Sequence, residues 1–119
     1  MRKKQEEKEK FNLDEACVLW KNTSKEGVLY LKGHDLNNNR VIGFINNDEK
    51  NEKLPRIRIF SLKDNGDTDK EVITLWETKS KQDKVYLSGY TDDKEKVIAF
   101  YGDDKNENTP YIKVYFKEN

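Results

Sequence analysis

Val41-Ile42-Gly43-Phe44 recurs as Val97-Ile98-Ala99-Phe100, 56 residues further along the chain. Working outward from this pair, Leu19-Trp20 returns as Leu75-Trp76 and Ser24-Lys25 as Ser80-Lys81. Tyr30-Leu31-Lys32-Gly33 returns as Tyr86-Leu87-Ser88-Gly89, again at the same offset. One residue is then dropped. Lys50-Asn51-Glu52 with Pro55 and Ile57 returns as Lys105-Asn106-Glu107 with Pro110 and Ile112, at an offset of 55. A fixed offset with a single gap is the mark of an internal repeat. Two copies are read, residues 17–62 and 73–119, joined by a linker or turn at 63–72. A charged lead, 1–16, precedes them and reads as disordered or partly helical. Asn65-Gly66 in the linker is a tight-turn signal.

Each copy carries four short runs of strand-forming residues bounded by Gly, Asn and Asp. They fall at 18–22, 27–33, 40–45 and 56–62 in the first copy, and at 74–78, 84–90, 96–101 and 111–117 in the second. The expected fold class is all-β: two tandem four-stranded antiparallel repeats forming one small sandwich or barrel. Neither copy has the apolar area to stand alone, so the two are expected to share one core.

Composition narrows the function. The chain has 119 residues, with 23 Lys plus Arg against 23 Asp plus Glu. A net charge of zero gives no overall field towards nucleic acid or an anionic membrane, so such binding needs a local patch. Cys17 and His34 are the only residues of their types, which excludes an intrachain disulfide and a Cys/His zinc site built from one chain. A lone thiol suits a reducing compartment. Residues 1–10 are nearly all charged and lack the apolar stretch of a signal peptide. The apolar runs reach about five residues where a membrane helix needs roughly 20. A cytoplasmic protein with no membrane partner is expected.

Neither GxGxxG nor GxxxxGK[ST] occurs. Asp64-Asn65-Gly66-Asp67-Thr68-Asp69 with Glu71 has its Gly and Glu too early for an EF-hand loop. His34 is matched by Tyr90 and has no nucleophile at a telling spacing. No catalytic residue, metal ligand or cofactor site is expected; the protein reads as a non-enzyme.

The repeat separates inner from outer positions. Leu29 and Leu31 match Val85 and Leu87, while Ile57 and Ile59 match Ile112 and Val114, so these are read as inward. Side chains alternate along a strand, which turns the intervening residues outward. The outer set is aromatic and cationic: Tyr30, Lys32, Arg56, Arg58, Phe60, Tyr86, Tyr111, Lys113 and Tyr115. Such residues are enriched in contact hot spots and also stack bases and neutralise phosphates. They are the candidate partner-binding residues, unless the fold itself covers them. Trp20 and Trp76 read as core or inter-copy packing. Gly33 and Gly89 read as bulge or positive-φ positions at strand ends. Pro55 and Pro110 read as entries to edge strands.

The pattern of Leu-Trp-Lys-Asn, Tyr-Leu-x-Gly, Val-Ile-x-Phe and Lys-Asn-Glu-x-x-Pro resembles a family of small proteins of unknown function carried on bacterial plasmids, phages and conjugative elements. Those carry one copy of the unit where this chain carries two. The resemblance implies a compact β unit on a mobile element and transfers no catalytic residues. A host protein is the expected partner, with inhibition of a defence nuclease as one concrete form. Single-stranded nucleic acid is the alternative, and self-assembly into a homo-oligomer the second.

Overall fold

The computed structural model describes residues 15–46, 53–102 and 108–117. Eight strands follow in chain order: β1 (Glu15–Thr23), β2 (Leu29–Asp35), β3 (Arg40–Ile45), β4 (Ile57–Leu62), β5 (Thr68–Lys79), β6 (Val85–Thr91), β7 (Lys96–Tyr101) and β8 (Ile112–Phe116). Each pairs antiparallel with the next, and β8 pairs with β1 to close a barrel. Closure decides between the two all-β architectures and removes every sheet edge. Pro55 and Pro110 therefore do not mark edge strands. They lie just before β4 and β8, outside the ladder, where a missing N–H costs no sheet bond.

One residue in two points into the barrel along most of the strands; β1, bulged between Glu15 and Cys17, buries four in a row from Ala16 to Leu19. The core is a single cluster drawn from all eight strands, including Leu19, Leu31, Val41, Ile59, Leu75, Leu87, Val97 and Ile112. Full burial of each such side chain contributes about 1.5–3 kcal/mol. Leu31, Leu87, Ile57, Ile59, Ile112 and Val114 are all fully buried, as the alternation requires. Leu29 and Val85, read as inward, are 44% and 43% exposed. They open β2 and β6, paired on one side with Thr23 and Lys79 but beyond the end of the β2–β3 and β6–β7 ladders at Leu31 and Leu87.

Gly33 and Gly89 sit inside β2 and β6, not at strand ends, and neither has a positive φ. Their reason is close approach. A Cβ on Gly33 would run into the Val18 carbonyl, and one on Gly89 into the Thr74 carbonyl. Small barrels bend sharply, and glycine lets the two backbones meet there. Two boundaries also move. β5 begins at Thr68, within the stretch read as linker, which leaves a short turn closed by Gly66 N donating to Lys63 O. Glu15 and Ala16, read as part of the lead, belong to β1; the rest of the lead, 1–14, lies outside the described residues.

Backbone contacts recur at the offset found in the sequence. Leu36 N donates to Ala16 O, and Asp92 N to Val72 O. Tyr111 N donates to Leu19 O, and Arg56 N to Leu75 O. The β2–β3 turn is held by Asp35 Oδ1, which accepts the N–H groups of Asn37 and Asn39. Thr91 Oγ1 does the same for Asp93 and Glu95 in the β6–β7 turn.

Candidate binding faces on the barrel exterior

The outward positions of β2, β3 and β4 form one face. Cross-strand register places Lys32 opposite Ile42, Ile42 opposite Phe60, and Phe44 opposite Arg58. Phe44 and Phe60 meet edge to face with centroids 5.8 Å apart, and the Arg58 guanidinium lies 5.3 Å from the Phe60 ring centre. Tyr30 lies on the same side of β2 as Lys32, and Arg40 on the same side of β3 as Ile42. The outward positions of β6, β7 and β8 build a second face. Ser88 stands opposite Ile98, Ile98 opposite Tyr115, and Phe100 opposite Lys113. Phe100 is the middle ring of three, 6.3 Å from Tyr86 and 6.1 Å from Tyr115.

The structure thus divides the outer set in two. Tyr30, Lys32, Arg58 and Phe60 lie on the first face; Tyr86, Lys113 and Tyr115 lie on the second. β3 and β7 are as far apart as an eight-stranded ring allows, so these are opposite sides of the barrel, not one surface. Between the faces run β1 and β5, each with an outward tryptophan. Trp20 Nε1 donates to Asn108 O at 3.1 Å, and Trp76 Nε1 to Lys53 O at 3.0 Å. Each tryptophan reaches the β3–β4 or β7–β8 loop of the other half, so their role is inter-copy contact. The His34 ring packs beside Trp20 at 5.7 Å.

Arg56 and Tyr111 belong to neither face. They precede β4 and β8 by one residue and escape the alternation that the strand reading imposed on them. Both fold across one mouth of the barrel. Arg56 pairs with Glu77 at 3.1 Å, and the Tyr101 hydroxyl donates to the other Glu77 oxygen at 2.8 Å. Tyr111 packs against the core and edge to face on Tyr101, with the Lys21 ammonium 5.5 Å from its ring centre. Burial, then the Glu77 carboxylate, raises the Tyr101 hydroxyl well above the usual phenol range.

Charge is sorted by position. No Asp or Glu occupies an outward position of β2, β3, β4, β6, β7 or β8, whereas Lys32, Arg40, Arg58, Lys96 and Lys113 do. One neighbouring carboxylate, Glu71 on β5, grips Arg58 through two bonds of 2.9 and 3.1 Å and accepts the Thr74 hydroxyl at 2.6 Å. The Arg58 hydrogen bond is the main reason that Glu71 is held below its ordinary pKa. Acids gather instead at the mouth opposite Arg56. A cavity of about 390 Å³ there is bordered by Asp35, Asp69, Asp92, Asp93, Glu95 and Arg40. Asp35 is engaged by its turn, and Asp92 pairs with Lys70 at 3.2 Å. Among the described residues no three His, Cys, Asp or Glu side chains are grouped to hold a metal ion. Cys17 borders this cavity, and burial pushes its thiol up to about 12, with Asp35 and Glu15 adding to the shift.

The apolar face residues that sequence reasoning missed are Ile42, Phe44, Ile98 and Phe100. They are apolar in both copies, which marks a core position when apolarity is the only criterion. The signal lay in their neighbours: Gly43 and Ala99 are too small to be anything but the crowded inner side of strands apolar on both faces. Compared with known proteins, the chain matches no family model, no curated protein and no solved structure.

Proposed function

We propose that the chain is a non-enzymatic binding protein that engages single-stranded nucleic acid on its two aromatic and cationic faces. The carrying observation is the exclusion of acidic side chains from the outward positions of the six face strands, where exposed and half-buried rings stand beside Lys and Arg. A zero net charge opposes phosphate binding only if the two signs are mixed, and here they are sorted. Rings lying on a sheet stack bases without regard to sequence, and nearby cations follow the backbone. Phe44, Phe60, Phe100 and Tyr115 supply the stacking in this reading; Lys32 and Lys113 supply phosphate contacts, and Arg58 does so in competition with its Glu71 pair.

The test is the anisotropy of a labelled 20-nucleotide single strand at 50 and 200 mM salt. Affinity is expected to fall by at least tenfold across that range, since phosphate contacts release counterions. Phe60→Ala and Tyr115→Ala are each expected to weaken binding. No binding at the lower salt would sink this reading.

A second reading has its own observation, the collection of carboxylates around one mouth of the barrel. An acidic end can cover a nucleic-acid groove on a host defence nuclease, the action of an inhibitor carried on a mobile element. In that case the faces serve the same protein contact or self-assembly.

A further inference from the structure

We infer that the barrel is bivalent: it carries two separate strand-binding sites of like construction, one on β2–β3–β4 and one on β6–β7–β8, and holds two short single strands at once. This rests on the proposed function, and adds stoichiometry and placement to it. The argument is the matching of the faces residue by residue. Phe44 and Phe100 share an offset of 56 and are each 43% exposed. Phe60 and Tyr115, and likewise Arg58 and Lys113, share the offset of 55. Each central Phe meets the ring on its neighbouring strand, β4 or β8, with centroids 5.8 Å and 6.1 Å apart. In each face the cation sits directly opposite that Phe in the ladder. A ring pair with a cation beside it is thus made twice; Glu71 already bonds the first-face cation, Arg58, so complementarity to a polyanion there rests also on Lys32 and Arg40.

The sites are separate because the barrel keeps them so. Three strands lie between β3 and β7 in either direction round the ring. The outer sides of β1 and β5 are occupied by Trp20 and Trp76, each bonded to a loop of the other half. A strand of about six nucleotides is long enough for one face, given sites of about 4–16 nucleotides on comparable small barrels. One β-strand, β5 or β1, with its bonded tryptophan, stands between the nearest strands of the two faces.

The experiment is a calorimetric titration of the full chain with a hexamer of deoxythymidylate at 50 mM salt, with bound strands counted by native mass spectrometry. Two strands per chain are expected. Phe44→Ala and Phe100→Ala should each leave one, and the double variant none, with far-UV spectra confirming that each variant folds. One strand per wild-type chain overturns bivalency while leaving nucleic-acid binding intact. Loss of both strands in either single variant also overturns it, because the sites would then be one. No hexamer bound, together with no 20-nucleotide strand bound, overturns the functional reading itself.

Discussion

The two halves of the barrel agree in backbone and disagree where they meet. β1–β4 and β5–β8 repeat the same cross-strand bonds and the same side-chain turn caps, Ser24 and Ser80 after the first strand of each half and Asp35 and Thr91 after the second. At the Arg56 mouth, however, the first half contributes Lys21, Ile45 and Arg56, and the second Glu77, Tyr101 and Tyr111. Those positions are equivalent by offset. They converge on one small space, so identical residues would confront like with like. Two lysines or two glutamates there would repel. Divergence gives instead an Arg–Glu pair, a Tyr–Glu hydrogen bond and a Lys–Tyr contact. The comparison teaches that the backbone geometry constrains each half alone, while the mouth constrains their sum.

The largest effect should come from the shared backbone feature. Gly33→Ala and Gly89→Ala each drive a methyl into a carbonyl that cannot move without opening the β1–β2 or β5–β6 ladder. Each is expected to cost about 3 kcal/mol, the upper range for overpacking. Urea unfolding midpoints measure this, and the two losses should agree within about 0.5 kcal/mol. A cheap substitution in one half only would break the equivalence of the halves.

A smaller effect is expected where the halves differ. Glu77→Lys installs in the second half the residue type of the first. It removes the acceptor of both Arg56 and Tyr101 and sets an ammonium beside a guanidinium. Glu77 is partly exposed, so solvent discounts the charge term, and a loss of about 1–2 kcal/mol is expected. Thermal unfolding reads it directly. An unchanged midpoint would mean that the mouth tolerates like residues, and that the divergence has no electrostatic cause.

The strands were legible in the sequence because their alternation and turn residues are local. The expected bounds of β3 and β7 match the structure to the residue and the others to within about three, except that β5 starts at Thr68 and not at Thr74. Closure was not legible. It depends on β1 meeting β8 across nearly the whole chain, and no local pattern reports that pairing. The division of the outer residues into two faces follows from closure and was hidden with it. Arg56 and Tyr111 were misplaced for a related reason: alternation holds inside a strand, and both lie one step outside. Lys32, Arg58, Phe60 and Lys113 are legible as outward because buried or small residues flank each of them on both sides in the strand.

The smallest effect concerns a bond present in one half. Arg58 and Glu71 form a two-bond pair beside the first face, and their offset counterparts, Lys113 and Glu15, form no ion pair of this kind among the described residues. Glu71 is held below its ordinary pKa chiefly by the Arg58 hydrogen bond, with burial opposing and the Thr74 hydroxyl assisting. The folded chain therefore takes up this proton less readily than the unfolded one. The stabilisation is complete above the unfolded glutamate value of about 4.3 and disappears as pH falls through the lower folded value. Arg58 is half exposed, so the contribution is small, about 0.5 kcal/mol. Arg58→Met should lower the unfolding midpoint slightly at pH 7, and the gap from wild type should close in acid. Lys113→Met should produce no such pH-dependent gap. An equal gap in both variants would show that the cations of the two faces act through their general field, and the pairing with Glu71 would lose its meaning as a difference between the halves.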